Sequence, residues 1–129
     1  MDLTELIRKA QEARVRAYVP YSGFHVGAAL LCKDGTIFSG CNIENSAYGP
    51  TNCAERTAIF KAVSEGYREF ETIVIISDSE QPTPPCGVCR QVMAEFCGPD
   101  FPVVMMGCDG SQRTASLGEL LPYAFSLEK

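Results

Sequence analysis

Cys53, Cys86 and Cys89 are the side chains of this sequence best spaced to hold a metal ion, and Glu55 stands two positions after the first of them. The segments that carry them are Cys53-Ala54-Glu55 and Pro85-Cys86-Gly87-Val88-Cys89. Each falls where a polar loop gives way to a run of helix-forming residues. Residues three apart share one face of a helix, so Cys86 and Cys89 can reach the same ion. Helix N-termini favour anions, which lowers a thiol's pKa and suits thiolate ligands. Three thiolates at about 2.3 Å from a zinc ion leave one tetrahedral position open, and water there is acidified to a pKa near 7. Glu55, in the same first turn as Cys53, would sit beside such an ion without ligating it and accept the proton of that water.

Two plainer readings compete. A lone C-x-x-C can be a redox pair, but such pairs usually follow a strand in a thioredoxin-like unit, and no such unit is legible here. The cluster could also be a closed structural zinc site, with a fourth ligand from Cys32, Cys41, Cys97 or Cys108. Those four fall in strands, at a helix end or beside a turn, where inert thiols are common. His25, the sole histidine, follows Phe24 at a strand entrance and reads as a packing or surface residue.

These residues need a scaffold, and the chain supplies one. Residues 3–18 read as a helix that Thr4 could cap, with Leu6, Ile7, Ala10, Ala13 and Ala17 on one side. Val19-Pro20-Tyr21-Ser22-Gly23 is a loop by composition. Residues 26–32 and 36–42 read as strands joined at Lys33-Asp34-Gly35, where Asp-Gly suits positive φ angles. A polar loop follows, then a helix over 53–65 with Ala54, Ala58, Ile59 and Ala62 facing inward. The run 72–77 is apolar enough to predict a strand covered on both faces. A helix over 86–97, a strand over 102–106, a short strand at 113–115 and a short helix from Leu117 to Leu121 complete the chain. This order predicts an α/β fold: a three-layer α-β-α sandwich around a mixed sheet of about five strands.

The 129 residues suffice for a single domain spanning 1–129. A formal net charge of −5 and the lack of any Lys/Arg cluster disfavour nucleic acid and anionic membranes as partners. No stretch approaches the roughly 20 apolar residues that span a bilayer. The first residues, Met1 to Glu5, lack the pattern of a signal peptide, so a cytoplasmic location is expected.

The sequence resembles the cytidine deaminases of the small, all-cysteine-ligand class. The matching segments run through nearly the whole chain: Tyr21 to Ala29, Gly40 to Asn45, Cys53 to Ala58, Pro85 to Gln91 and Leu120 to Phe125. The zinc signature is shared by the wider deaminase superfamily. The Phe24 and Asn42-x-Glu44-Asn45 segments are what point to a free nucleoside. The resemblance implies one zinc ion per subunit on Cys53, Cys86 and Cys89, with Glu55 as the catalytic proton carrier. It implies that Asn42 and Glu44 bind the ribose 3′-hydroxyl, that Phe24 packs on the pyrimidine, and that the Ala54 main chain meets the exocyclic amine. Tyr48 would lie near the ribose. Phe125 would reach a neighbouring subunit's site, within a homotetramer whose active sites are shared. Without the resemblance, Phe24 would read as a core aromatic.

Arg56 has an independent argument. Three thiolates leave zinc with a net negative charge, and a cation beside them would restore some Lewis acidity. Arg56 lies three positions after Cys53, on the same side of the helix; it is expected to donate to a metal-binding sulfur, with Gln91 helping to hold it.

The expected reaction is therefore hydrolytic deamination of cytidine and 2′-deoxycytidine to the uridines with loss of ammonia, as in pyrimidine salvage. Rival substrates are blasticidin S, a nucleotide or a guanine-type base, whose enzymes should differ at Phe24, Asn42 and Glu44. A carboxylate at Glu44 would repel a phosphate near the 3′-hydroxyl, which argues against nucleotides and polynucleotides. The stretch Tyr48-Gly49-Pro50-Thr51-Asn52 and His25 depart from the family's usual residues.

Overall fold

In the computed structural model, residues 2–127 are described. The elements, in chain order, are α1 (Thr4–Val15), β1 (Val26–Cys32), β2 (Ile37–Cys41), α2 (Ala54–Ser64), β3 (Phe70–Ser77), α3 (Gly87–Phe96), β4 (Pro102–Met106), β5 (Gln112–Ser116) and α4 (Leu117–Leu120). The five strands form one mixed sheet in the order β2-β1-β3-β4-β5. β1 runs antiparallel to both β2 and β3, β3 and β4 are parallel, and β5 returns antiparallel to β4.

Strand side chains alternate between two faces, and the two faces have different covers. Ala29, Val74, Ile76, Val104 and Met106 pack under α1 through Leu6 and Ala10. Ala28, Leu30, Ile73, Ile75, Val103 and Met105 pack under α2 and α3 through Ala58, Ile59, Ala62, Cys89 and Met93. The predicted three-layer sandwich is thus the observed one, and Thr72 to Ser77 are all buried, as their apolar run requires.

Two glycines set how closely the helices approach. A Cβ on Gly27 would lie 2.1 Å from the Ala10 carbonyl oxygen of α1. A Cβ on Gly40 would lie 2.6 Å from the Ala58 amide nitrogen and 2.8 Å from the Ala54 carbonyl oxygen of α2.

Some boundaries differ from expectation. α1 ends at Val15, so Ala17 lies beyond it. Thr4 is the first helical residue and not the cap; its amide instead donates to the Asp2 carboxylate at 2.9 Å. In the β1–β2 turn only Gly35 has positive φ, +94°, because the connection is longer than a two-residue hairpin loop. The capping box of α4, with Ser116 and Glu119 bonded reciprocally, is a start signal the sequence reading passed over.

The topology explains where a site can form. β2 and β3 both run antiparallel to β1, and β4 is parallel to β3, so β2, β3 and β4 point the same way. α2 and α3 follow β2 and β3, so both begin at that carboxyl edge, where the crevice of an open α/β sheet lies.

Candidate metal centre and nucleoside site

Cys53 is the N-cap of α2 and Cys86 is the N-cap of α3, both in extended conformation. Cys89 lies in the first turn of α3 and is fully buried. Their sulfurs converge: Cys53 to Cys86 is 3.6 Å, Cys86 to Cys89 is 3.4 Å, and all three lie within 4.8 Å of one another. Tetrahedral zinc with thiolates at about 2.3 Å requires sulfurs roughly 3.8 Å apart, so the trio fits the ion. Among the described residues no other group of three potential ligands converges in this way, and Cys32, Cys41, Cys97 and Cys108 stand outside it as free thiols. Burial pushes the Cys97 thiol up to about 12, which suits an inert one.

The thiols are electrostatically coupled. A hydrogen bond from Cys89 pushes Cys53 down to about 5, and the same bond pushes Cys89 up. Arg56 adds to the first effect: its Nη2 donates to the Cys53 sulfur at 3.3 Å. The Arg56 Nε is buried with no hydrogen-bond partner. Arg56 is half-buried with its guanidinium on the Cys53 sulfur, so its positive charge stands where thiolate ligands would carry negative charge.

Glu55 is only 4% exposed, and burial raises its carboxyl to about 7. It interacts with the Cys89 thiol, which places the carboxyl at the edge of the sulfur cluster.

A second group of residues meets at the same edge. Ile43 and Asn52 exchange two backbone hydrogen bonds of 2.9 Å, so the chain after β2 runs beside the residue preceding Cys53. The Asn42 amide donates to the Phe24 carbonyl at 2.9 Å and accepts from the Val26 amide at 2.9 Å. Glu44 Oε1 accepts from the Tyr21 and Ser22 amides at 3.0 and 3.1 Å, and Oε2 accepts from the Ser22 hydroxyl. The Ser22 bond is the leading reason that the Glu44 carboxyl lies below its ordinary value. Tyr21, Ser22, Glu44, Asn45, Tyr48 and Thr51 line a cavity of about 400 Å³. Phe24 is 41% exposed, which removes the core reading for it.

The other expected residues are placed as follows. Ala54 is buried at the first helical position, where its amide has no partner within the helix. Tyr48 and Phe125 are both strongly exposed. The Gln91 amide donates to the Phe125 carbonyl at 3.0 Å, so its observed partner is the C-terminal segment and not Arg56. Gln91 is exposed and faces that segment, whereas Arg56 points at the sulfurs.

Thr57 was missed by sequence reasoning. Its hydroxyl donates to the carbonyls of Cys41 and Cys53 at 3.0 and 3.2 Å and accepts from the Asn52 side chain at 3.0 Å. It ties the metal-binding end of α2 to the end of β2. The only signal was a hydroxyl one helical turn after Cys53, which is equally common on exposed helices.

The family described as "Cytidine and deoxycytidylate deaminase zinc-binding region" matches residues 1–106. The chain belongs to the cytidine and deoxycytidylate deaminase family. It is 56% identical over 128 residues to the cytidine deaminase of Sporosarcina psychrophila, covering 99% of this chain and 94% of that one. It is 55% identical to the cytidine deaminase of Halalkalibacterium halodurans, covering 99% of this chain and 97% of the relative. The structure of cytidine deaminase from Burkholderia pseudomallei superposes with a TM-score of 0.93 at 50% identity, covering 97% of this chain and all of that one. As a member of this deaminase family the chain is a zinc-dependent hydrolase acting on a C–N bond, and the three-cysteine cluster fits one zinc ion.

Proposed function

We propose that this deaminase acts on the free nucleosides cytidine and 2′-deoxycytidine, releasing ammonia to give uridine and 2′-deoxyuridine. The observation that carries the reading is the arrangement of Asn42 and Glu44 beside the helix that bears Cys53. Three of the four lone-pair sites of the Glu44 carboxylate are occupied by Tyr21 and Ser22, which leaves one acceptor. Asn42 retains one N–H after bonding Phe24. One remaining donor and one remaining acceptor match a single sugar hydroxyl, which both accepts and donates. Relatives above half identity named cytidine deaminase support the same substrate.

Zinc held by Cys53, Cys86 and Cys89 would supply Lewis acidity that lets a water ionise near neutral pH. Glu55 takes the proton of the attacking water and delivers it to ring N3. It then takes the proton of the new C4 hydroxyl and passes it to the amine, which leaves as ammonia as the C4 carbonyl forms. The nearly complete burial of Glu55 keeps its carboxyl close to the pH at which it must both accept and donate. Phe24 packs on the pyrimidine, and the free N–H of Ala54, a donor, serves an acceptor on the base rather than the exocyclic amine. Arg56 offsets the thiolate charge.

The oligomer is part of the proposal. Tyr48 beside the cavity and Phe125 are left strongly exposed by a single chain, which supports their cover by neighbours in a homotetramer with shared active sites. None of the described helices is long and apolar enough to cross a membrane.

The test is an absorbance assay of the purified protein against cytidine, deoxycytidine, CMP and blasticidin S. Turnover of the two nucleosides with little or none of the others is expected. A preference for CMP or blasticidin S would overturn the substrate assignment.

A further inference from the structure

We propose that the Ser22 hydroxyl is a positioning group for nucleoside recognition, holding the Glu44 carboxylate in its sugar-binding orientation and fixing the backbone of Phe24 in the same stroke. This rests on the nucleoside reading above. Ser22 touches neither the cysteines nor Glu55, and its role is confined to the sugar and base contacts.

The hydroxyl has one hydrogen and two lone pairs. It donates its hydrogen to Glu44 Oε2 and accepts the Phe24 amide at 3.0 Å. The Phe24 carbonyl is meanwhile held by Asn42 at 2.9 Å. Both backbone polar groups of Phe24 are therefore bonded to the sugar-binding pair, one directly by Asn42 and one through Ser22 to Glu44. The partners are 22 residues apart, so this link forms only in the folded chain. It joins two parts of the pocket that would otherwise move separately: an exposed loop bearing Phe24, and the segment after β2 bearing Glu44.

Among the described residues Glu44 makes no ion pair and feels only a minor pull from His25; its hydrogen-bond partners are two amides and this hydroxyl. The two amides hold Oε1 alone, and a carboxylate held at one oxygen still swings the other, so it presents its remaining lone pair to a sugar hydroxyl only part of the time. The Ser22 hydroxyl removes that freedom before substrate arrives, which is preorganisation of a binding contact. The contact is to an unreacting part of the substrate, so its loss should appear in KM and leave kcat nearly alone.

The experiment compares zinc-loaded wild type, Ser22→Ala, Ser22→Thr, Glu44→Gln and the Ser22→Ala/Glu44→Gln double variant. With cytidine, Ser22→Ala should raise KM roughly tenfold, the loss of about one hydrogen bond to a charged group, with kcat within about twofold. Ser22→Thr, which keeps the hydroxyl, should restore KM. The double variant should be no worse than Glu44→Gln alone, because a residue acting through Glu44 is not additive with it. A carboxyl NMR titration gives a readout that needs no turnover: the Glu44 pKa should rise in Ser22→Ala and not in Ser22→Thr. An unchanged Glu44 titration, an additive double variant or a loss confined to kcat would overturn the role of Ser22. A wild type that titrates as expected but does not turn over cytidine would overturn the nucleoside reading and leave the Ser22–Glu44 link standing.

Discussion

Glu55 and Arg56 are neighbours in sequence with opposite environments. Glu55 is enclosed, with burial as the dominant influence on its carboxyl. Arg56 reaches from the same turn to the Cys53 sulfur. In the proposed roles one group moves protons and the other holds charge, so their removal should separate. Glu55→Gln keeps the shape and loses the proton carrier; we expect kcat to fall by at least about 10³-fold, the upper part of the range for a general acid–base, with zinc content unchanged by metal analysis. Arg56→Gln leaves the thiolate charge uncompensated. The expected result is faster zinc loss to a chelator together with reduced turnover; wild-type values for both would show that Arg56 does no more than pack.

At the scale of elements, the cysteines meet because two helices begin at one sheet edge, and that depends on how deeply α2 sits. Gly40 is where β2 and α2 touch. An added Cβ would meet backbone atoms of Ala58 and Ala54, which cannot rotate away. Gly40→Ala should therefore destabilise by at least about 2 kcal/mol, or roughly 8 °C in melting temperature, and weaken zinc retention by moving Cys53. A second junction lies at Asp78, just after β3. Its carboxylate accepts from the His25 amide at 2.8 Å, pairs with the His25 ring at 2.9 Å and receives the Arg14 guanidinium at 3.1 Å. Burial works to raise this carboxyl, but the His25 bonds and Arg14 outweigh it and hold it below its ordinary 3.8. A carboxyl depressed by folding contributes stability that is present above its unfolded pKa and lost as pH falls through the folded one. The wild type should thus lose stability on acidification below pH 4, and Asp78→Asn should flatten that limb in thermal melts while lowering stability at neutral pH. These junctions were not legible in the sequence. The elements were, because helical spacing in 53–65 and the apolar run at 72–77 report the cover each needs. The convergence of the three cysteines was legible too, because Cys86 and Cys89 are local to one helix turn. Gly40 against Ala58, Ser22 against Glu44 and Asp78 against His25 are contacts between distant segments whose residue types carry no mark of their partners. Gln91 was assigned to Arg56 for the same reason: spacing gives a helix face, not the neighbour on it.

For the whole molecule, the distribution of apolar surface is the feature that a single chain does not account for. Tyr48, Val88, Tyr123, Phe125 and Leu127 are each more than half exposed. Val88 lies between the two cysteines of α3, Tyr48 lines the cavity that holds Glu44, and Phe125 is fastened to α3 through Gln91. Tyr48, Val88 and Phe125 thus gather around the site, although Tyr18 and Phe60 are exposed as well. Aromatic residues grouped in this way are typical of buried interface centres. If neighbouring chains cover them, assembly and catalysis are linked: the site is complete only in the oligomer, and its activity follows the population of that oligomer. Light scattering after size exclusion should give four times the mass of one chain. Phe125→Ala should lower kcat/KM for cytidine roughly tenfold or more while zinc content and the circular dichroism spectrum stay at wild-type levels. Mixing this variant with an excess of inactive Glu55→Gln chains then separates the two ways Phe125 could act. Where Phe125 serves a neighbour's site, subunit exchange brings intact Phe125 next to intact Glu55 and activity rises. Where it serves its own chain's site, each chain keeps one defect and mixing restores nothing, which would overturn the shared-site arrangement.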